Sequence, residues 1–194
     1  LSAPVGGARN YVAVRGGIDV PPVLGSRSTD TLSGLGPPAL SAGTRLPVGA
    51  AARAWPATMT APISLITPDV VELAVRPGPR AGLMRHAADL RVGRWEVTAD
   101  ANRVGVRLTR PHGDPAPLLE HREHAGELRS EGVAHGSVQI PPTGRPVLFL
   151  ADHPVTGGYP VIAVLTAASI SRAGQLVAGM RIRFRTAPAR LTDH

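Results

Sequence analysis

The chain has 194 residues, which is enough for one large domain or two small ones and for a core without covalent staples. It contains neither cysteine nor lysine, since all 21 basic residues are arginine, and this excludes disulfides, thiolate nucleophiles, a phosphate-loop lysine and Schiff-base chemistry within the chain. The formal net charge is +7, but the arginines are dispersed and aromatic residues make up only 3%, so we expect no nucleic-acid partner.

Membrane and secretion signals are not evident in the sequence. No apolar run approaches the roughly 20 residues that a membrane helix needs. The first residues, Leu1 to Gly7, lack the charged and apolar regions of a signal peptide. We therefore expect a cytoplasmic protein with no membrane partner. The first residue is not methionine, which is typical of a fragment or a processed chain.

The first polar block follows an apolar run near the start. The run from Asn10 to Arg15 predicts a strand, with Gly16 and Gly17 at its exit. A cation, two hydroxyls and a carboxylate then occur within four residues, which are Arg27, Ser28, Thr29 and Asp30. A guanidinium can hold a carboxylate or carbamate through two hydrogen bonds, and Asp30 can orient it. The alternative is that Ser28 or Asp30 caps a turn or a short helix.

The middle and the second half of the chain alternate as β structure. The segment from Trp55 to Pro68 is rich in Pro, Ala and Thr, which indicates a linker or a surface crossing. Helical spacing of apolar residues predicts two short helices, from Gly82 to Val92 and from Ser169 to Ala178. Short apolar runs between Gly and Pro predict strands at Val70 to Val75, Arg94 to Thr98, Val104 to Thr109, Ser137 to Ile140, Val147 to Ala151, Val161 to Thr166 and Met180 to Arg185. Many short strands with few helices favour a closed or partly closed β-barrel.

Two charged segments have ordinary structural interpretations. Arginines at 181, 183 and 185 alternate with Ile182 and Phe184, which is typical of a strand with one solvated and one buried face. The segment from Pro111 to Arg129 is polar and predicts an exposed excursion that carries His112, His121 and His124. Three histidines can bind a metal, but nothing preorganises these, so we expect a solvated loop and no metal site.

The second polar block lies between Ser130 and Pro160. The connector from Asp152 to Tyr159 is too long for a minimal hairpin turn and holds its polar groups in one cluster. Polar loops held between rigid strands are where binding and catalytic groups usually lie. The ionisable and hydroxyl residues of this block are Glu131, Gln139, Asp152, His153, Thr156 and Tyr159. The alternative is structural, because Asp and Thr in a Gly-Gly loop often only bond nearby backbone.

Together, these blocks resemble the allophanate hydrolase subunit 2 family, which includes the Kip A-like proteins, the C subunit of the bacterial 5-oxoprolinase and a domain of urea carboxylase. The matching stretches run in family order and are Tyr11 to Asp19, Leu24 to Thr31, Val75 to Pro79, Asn102 to Leu108, Ser130 to Val133, Gln139 to Pro142 and Ala151 to Pro160. The chain departs from the family in lacking the segment before Tyr11 and in its 111–129 excursion, and His135 is a local variation.

The resemblance implies a cyclophilin-like β-barrel, mainly β with about two short helices. Residues 1–54 would be the N-terminal part of the family domain, 55–68 a linker or surface crossing, and 69–194 the C-terminal barrel part. It also implies a role as one subunit of a two-subunit amide-processing assembly. The implied partner is a subunit 1 (Kip I-like) protein, with the active surface shared between the two.

Hydrolysis or carboxyl transfer at a urea-like or lactam amide needs a polarised carbonyl, a delivered nucleophile and a protonated nitrogen leaving group. The candidate catalytic residues are Asp152 and Glu131, as general bases or acceptors of urea-type N–H groups, and His153 as a proton shuttle. The candidate substrate-binding residues are Arg27, Ser28, Thr29, Asp30, Gln139, Thr156, Gly157, Gly158 and Tyr159. Among these, the two glycines would offer N–H groups to an oxyanion, while Gln139 and Tyr159 would only orient.

Three functions remain open from the sequence. The first is a subunit of a heteromeric hydrolase acting on 5-oxoproline or on a urea derivative such as allophanate. The second is a regulatory protein that binds a Kip I-like kinase inhibitor, and the third, weaker alternative is a biotin-dependent carboxyltransferase. We expect the chain to hold no cofactor firmly, ATP to act only at the level of the assembly, and biotin not to be used, since the chain has no lysine to carry it.

Overall fold

The structure, a computed structural model, describes residues 7–31, 33–50, 54, 58, 69–123 and 128–188. Residues 1–9 and 65–194 belong to one compact unit, and residues 10–64 to a second. The predicted linker from Trp55 to Pro68 lies outside the described residues except for Thr58. The predicted division of the chain at residues 54 and 69 therefore stays a prediction.

The first unit is built from short strands, as the sequence predicts. They are β1 (Val70–Pro77), β2 (Trp95–Val97), β3 (Gly105–Thr109), β4 (Glu131–Gly132), β5 (Ser137–Gln139), β6 (Val147–Phe149), β7 (Thr156–Gly157), β8 (Val161–Leu165) and β9 (Arg181–Thr186). One α-helix, α1 (Ala167–Ala173), and two 3₁₀ turns, Ala81–Leu83 and Ala87–Arg91, complete the described elements. In the described part of the chain, no helix has the length and apolar character to cross a membrane.

Seven strands close into a barrel in the order β1-β8-β5-β6-β3-β2-β9. The pairs inside this order are antiparallel. The closing pair, β1 with β9, is parallel, and its register runs from Val70 opposite Arg181 to Val75 opposite Thr186. β4 and β7 form a separate two-stranded sheet. The predicted mainly β barrel is therefore confirmed.

The barrel encloses a core of aliphatic and aromatic side chains. On β9, Ile182 and Phe184 are buried while Arg181, Arg183 and Arg185 are exposed, which confirms the predicted two-faced strand. Burying a large apolar side chain of this kind contributes roughly 1.5–3 kcal/mol. The largest fully buried residues are Trp95, Phe184, Leu73, Met84, Leu108, Ile140, Leu148, Ile182, Val97, Val106, Val138 and Pro146.

Both helix predictions need correction. The segment from Gly82 to Val92 is not one helix, because Met84 is extended (φ −93°, ψ 147°) and bridges His121, which separates two 3₁₀ turns. Helix α1 begins two residues before the predicted Ser169, since the Thr166 hydroxyl caps it by accepting from the Ser169 N–H at 3.4 Å. It ends at Ala173, and Gly174 follows as its C-cap.

The second unit lacks regular strands in its described residues. The predicted strand from Asn10 to Arg15 is wrong, because this segment is exposed and pairs with no other strand. Short backbone bridges hold the described part of the unit, for example Ile18 opposite Val48. None of the described residues between 10 and 50 is buried.

Candidate functional site

The two stretches of the second polar block lie side by side and form a clip, defined here as residues 131–136 and 152–157. Glu131 pairs with Gly157 and Gly132 with Thr156 across the β4–β7 sheet. The pairing continues with the Val133 N–H, which donates to Val155 O at 2.9 Å. The sequence predicts 152–159 as a loop and misses these strands, because two-residue strands carry no apolar alternation. The structure thus brings Glu131, Thr156 and Gly157 together.

Glu131 is held by an arginine fork at one end of the clip. Arg80 Nε donates to Glu131 Oε2 at 3.0 Å, and Arg80 Nη2 contacts the other carboxylate oxygen. The hydrogen bond from Arg80 is the main reason that the pKa of Glu131 lies below its ordinary value, although partial burial opposes it. A carboxylate that binds protons more weakly is a poorer general base. The geometry favours Glu131 as an ionised hydrogen-bond acceptor, and its role as a base stays a prediction.

Asp152 lies in the turn that follows β6, at the other end of the clip. Its carboxylate forms an ion pair with Arg103, in which Asp152 Oδ2 and Arg103 Nε are 2.8 Å apart, and the Asp152 N–H donates to Arg103 O at 3.2 Å. The Asp152 side chain is 37% exposed, so part of it is reached by solvent. This arrangement orients the carboxylate and leaves it accessible to a substrate. The catalytic role of Asp152 is consistent with these contacts and stays a prediction.

His153 follows Asp152 and stacks on a second histidine. The ring centroids of His153 and His135 are 6.0 Å apart with an interplanar angle of 25°, and Phe149 lies 6.3 Å away. His153 Nδ1 lies 2.8 Å from Pro154 O. Because a carbonyl only accepts, Nδ1 carries the proton, and in the neutral ring Nε2 is then the acceptor. This tautomer suits a group that takes a proton at Nε2.

Gln139, at the end of β5, is buried against the clip. Its side chain is 4% exposed and donates from Nε2 to Tyr159 O at 2.7 Å. A Cβ atom at Gly157 would lie only 2.8 Å from Gln139 Nε2, so any larger residue here would require the Gln139 side chain to shift. Gly158 has its nearest neighbour, Leu128 O, at 3.7 Å and carries no such constraint.

The two glycines do not have the conformation of a left-handed nest. Neither Gly157 nor Gly158 has a positive φ, whereas an anion-binding nest alternates right- and left-handed residues. Anion binding by their N–H groups stays a prediction. Thr156 is exposed, and the Tyr159 side chain is 47% exposed, so both remain reachable by a ligand.

The first polar block belongs to the second unit, and its arginine is tied to its own loop. Arg27 Nε donates to Val20 O at 2.8 Å, and Nη2 lies 3.4 Å from Asp19 Oδ1. The sequence suggests Asp30 as the acidic partner of Arg27, but in the structure the ion pair is with Asp19. Ser28 bonds the Ser26 hydroxyl at 2.7 Å.

Thr29 and Asp30 make similar local contacts. The Thr29 hydroxyl donates to Pro37 O at 2.9 Å, and Asp30 Oδ2 accepts from the Ser33 hydroxyl at 2.6 Å. Asp30 O also accepts from Gly34 N at 2.9 Å, which closes a turn. These contacts are those of the turn-capping alternative, and substrate binding by the four residues stays a prediction.

The sequence does not single out the two arginines that hold the site carboxylates. Arg80 lies directly after the matching stretch that ends at Pro79, and Arg103 lies inside the stretch from Asn102 to Leu108. The one available signal is compositional: all basic residues of the chain are arginine, so a buried or oriented carboxylate of a polar block would be expected to pair with an arginine. The spacing of 51 residues between Arg80 and Glu131 conceals that pairing.

A third arginine, Arg110, has a structural role that the sequence does not reveal. Its guanidinium lies 3.5 Å above the Trp95 ring and donates to four carbonyl oxygens, those of Asp89, Val92, Arg94 and Pro117. Desolvation is the main cause that lowers the pKa of Arg110. This arginine ties the 3₁₀ turn at 87–91 to the 110–117 loop.

The concave surface near Arg110 does not coincide with the clip. An open groove of about 580 Å³ has walls of mixed apolar and charged residues and contains none of the predicted site residues. Its lining is Val92, Gly93, Arg94, Pro111, His112, Gly113, Asp114, Pro115, Ala116, Pro117 and Arg181. The groove is therefore separate from the polar blocks that the sequence identifies.

The histidines of the 111–129 excursion form no metal cluster in the described residues. Within 7–31, 33–50, 69–123 and 128–188, no three His, Asp or Glu side chains are grouped as metal ligands. His121 Nε2 lies 3.0 Å from Ile140 O, which gives this ring a structural partner. His124 lies outside the described residues.

Comparison with known proteins places the chain among carboxyltransferase-type domains. Residues 1–186 match the family described as carboxyltransferase domain, subdomain A and B. The chain is 35% identical over 195 residues to the C subunit of 5-oxoprolinase from Escherichia coli, covering 95% of this chain and 58% of that protein. It is 31% identical over 197 residues to a putative urea carboxylase of Emericella nidulans, covering 93% of this chain and 15% of that protein.

A solved structure supports the fold. The crystal structure of the urea amidolyase of K. lactis aligns with this chain at a TM-score of 0.78 and 26% sequence identity. The alignment covers 95% of this chain and 12% of the amidolyase chain. The chain therefore spans only part of each of these relatives, about half the length in the case of the E. coli protein.

Proposed function

Because the chain belongs to the family of the carboxyltransferase domain, subdomain A and B, we propose that it works as one subunit of a heteromeric enzyme that processes an amide or urea-type bond. The substrate that we propose is 5-oxoproline or a urea derivative such as allophanate. The partner is a subunit 1 (Kip I-like) protein that completes the active surface, and ATP, where the reaction uses it, acts at the level of the assembly.

The observation that carries this proposal is the likeness to the C subunit of 5-oxoprolinase across nearly the whole chain. That relative is named as a subunit, which supports a protein partner. The stretches of this chain that carry polar groups, at 27–30, 131–139 and 152–159, lie within the matched residues. The sequence has no Gly-x-Ser-x-Gly nucleophile elbow and no lysine, which supports a need for groups from outside it.

The clip supplies groups that suit amide chemistry. In the proposed reaction Asp152, oriented by Arg103, removes a proton from the nucleophile or accepts a hydrogen bond from a urea-type N–H. His153 Nε2 then takes that proton from the Asp152 carboxyl group through water and passes it to the leaving nitrogen, which leaves both groups in their starting states. Glu131 remains ionised beside Arg80 and holds an N–H of the substrate. The N–H groups of Gly157 and Gly158 bind the oxygen that gains negative charge.

The experiment that tests the proposal combines the chain with the Kip I-like subunit 1 protein from the same genome. Association is measured by sizing, and ammonia, glutamate and phosphate release are measured with 5-oxoproline and with allophanate. Turnover of either substrate supports the proposal. A stable complex that turns over neither substrate contradicts it and favours the regulatory alternative.

Asp152→Asn separates catalysis from assembly. General acid–base catalysis contributes about 10²–10⁴-fold, so we expect kcat to fall by about that factor while the complex survives. The matched control is Glu72→Gln, because Glu72 is another exposed carboxylate that pairs with an arginine, Arg185 at 3.6 Å. An Asp152→Asn complex that turns over like the Glu72→Gln complex would remove Asp152 from the mechanism.

Carboxyl transfer is a second candidate function, and the description of the family itself favours it. The sequence has no lysine, so the biotin would have to be carried by residues outside it. The discriminating measurement supplies a carboxylated biotin carrier and follows loss of its carboxyl group with urea as acceptor. Transfer that needs both subunits would favour this candidate over hydrolysis.

A further inference from the structure

His135 and His153 bring one ring from each of the two stretches of the clip face to face. Their ring centroids are 6.0 Å apart at an interplanar angle of 25°. Phe149, which is 8% exposed, lies 6.3 Å from the His153 ring at an angle of 52°. Aromatic rings attract one another at centroid separations of about 4.5–7 Å. The half-buried His153 ring is therefore restrained by two neighbouring rings, one exposed and one buried.

The turn that carries His135 is anchored to the barrel. The Gly136 N–H donates to Phe149 O on β6 at 3.0 Å, and the Leu165 N–H on β8 donates to Gly136 O at 2.8 Å. Gly136 has a φ of 85°, and a Cβ atom there would lie only 2.6 Å from Ile170 Cδ1. A glycine at this position therefore allows the turn to pack closely. The His135 ring is exposed, but the backbone that holds it is fixed.

The His153 ring is held along one edge by its own turn. The His153 N–H donates to Leu150 O at 3.2 Å, and the proline that follows restricts the His153 backbone. The ring places Nδ1 2.8 Å from Pro154 O, so Nδ1 carries the proton and Nε2 is left as the acceptor. Rotation of the ring would break this hydrogen bond and also separate the ring from His135. The stack and the hydrogen bond therefore favour the same orientation.

We propose that His135 is a positioning residue for His153. By stacking on the His153 ring, it keeps the Nδ1 proton on Pro154 O and leaves the Nε2 lone pair free to take a proton. No described residue hydrogen-bonds to the His135 side chain, so stacking is what its ring contributes to the site. This inference rests on the proposed function, because it explains how the chain keeps His153 ready for the proton transfer assigned to it there.

The first measurement reads the His153 ring without any substrate. Two-bond proton–nitrogen correlation spectra of the full chain at about pH 9, above the range in which histidine titrates, show which nitrogen carries the proton. In the wild type we expect the Nδ1–H form to dominate. In His135→Ala the ratio of the Nε2–H to the Nδ1–H form should rise by a factor of about 2–10, which is the effect of losing one aromatic contact.

Two further variants separate stacking from other effects. His135→Phe keeps a flat ring at this position and should restore the wild-type tautomer. The matched control is His112→Ala, because His112 is an exposed histidine that lies outside the clip, and it should leave the His153 signals unchanged. Exchange of the Val133 N–H, which donates to Val155 O, shows whether the clip stays folded in each variant.

The second measurement assays the same variants in complex with the Kip I-like subunit 1 protein. We expect kcat for 5-oxoproline or allophanate to fall in His135→Ala by about the factor measured for the tautomer, with little change in KM. His135→Phe should recover kcat. A purely structural role of His135 would not make kcat follow the tautomer of a different residue.

Each outcome decides the inference. A His135→Ala chain with the wild-type tautomer overturns it, as does a His135→Phe chain that behaves like His135→Ala. A wild-type His153 with its proton on Nε2 also overturns it, and so does a kcat that ignores a shifted tautomer. If the tautomer depends on the stack but the wild-type complex turns over neither substrate, His135 still positions His153 and only the proposed function is contradicted.

Discussion

The barrel and the segment at 10–50 are held together by different means. The barrel buries aromatic and aliphatic side chains such as Trp95 and Phe184, both of which are at most 2% exposed. The segment at 10–50 buries none of its described side chains and relies on backbone bridges and on glycines that let backbones meet. Both regions contain many apolar residues, so composition alone does not create a core. Only the barrel repeats its apolar residues at strand spacing and pairs the strands that carry them.

Removing a barrel side chain should have the largest effect. Trp95→Ala deletes a fully buried indole whose Nε1 donates to Leu90 O at 2.9 Å, so we expect the free energy of unfolding to fall by about 3–5 kcal/mol. Leu40→Ala removes a side chain that is 65% exposed, and a change within about 0.5 kcal/mol is expected. Urea unfolding of both variants measures the contrast. Equal losses would mean that the second region has a core after all.

A glycine pair tests how the segment at 10–50 is held. Gly16 and Gly17 both have positive φ, but a Cβ at Gly16 would overlap the carbonyl of Gly49, whereas a Cβ at Gly17 would meet nothing within 4 Å. Gly17→Ala should cost about 1–2 kcal/mol of local stability from the backbone alone. Gly16→Ala should cost more, because the backbone must also move.

Amide hydrogen exchange at the Asp19 and Gly49 N–H groups measures this, since they donate to Pro47 O at 2.9 Å and to Gly17 O at 3.0 Å. We expect Gly16→Ala to remove protection at both amides while the exchange of the barrel amides is unchanged. Loss of protection in the barrel as well would show that the two regions unfold as one cooperative unit.

The smallest effect should be a pH dependence of the clip. The pKa of Glu131 is lowered in the folded chain, chiefly by the hydrogen bond from Arg80. Because folding lowers this pKa, the ionised Glu131 carboxylate stabilises the folded chain at pH values above 4.5, which is its ordinary pKa. This stabilisation is lost as the pH falls from 4.5 through the lower pKa of the folded chain. Exchange of the Val133 N–H should therefore accelerate in acid relative to the Glu131→Gln chain at the same pH. A Glu131→Gln chain with the same acid profile as the wild type would exclude this ion pair as the cause.

Much of the barrel is predictable from the sequence, because burial on one face leaves a visible pattern. The predicted strands at 70–75 and 161–166 differ from β1 and β8 by no more than two residues at an end. The run at 10–15 is also apolar, but it has no strand to pair with, and Tyr11 is 82% exposed. A strand needs a partner that the run itself does not reveal.

The candidate site is less predictable than the fold. The sequence identifies the polar residues of the clip, yet their partners depend on long-range contacts that spacing conceals, such as Arg80 with Glu131 and Arg103 with Asp152. The two-residue turn around Leu24, whose φ is 50°, could not be recognised either, since Leu-Gly is not a typical type I′ sequence. In each case a tertiary contact or a backbone angle decides the outcome.

The parallel pairing of β1 with β9 has a consequence for biosynthesis. The barrel cannot close until residues 181–186 have left the ribosome, because β9 joins β1 to β2. Contacts between residues more than a hundred positions apart slow folding, because the chain loses the entropy of closing a long loop before the stabilising contacts form. Until β9 emerges, the nascent chain therefore carries open sheet edges at β1 and β2.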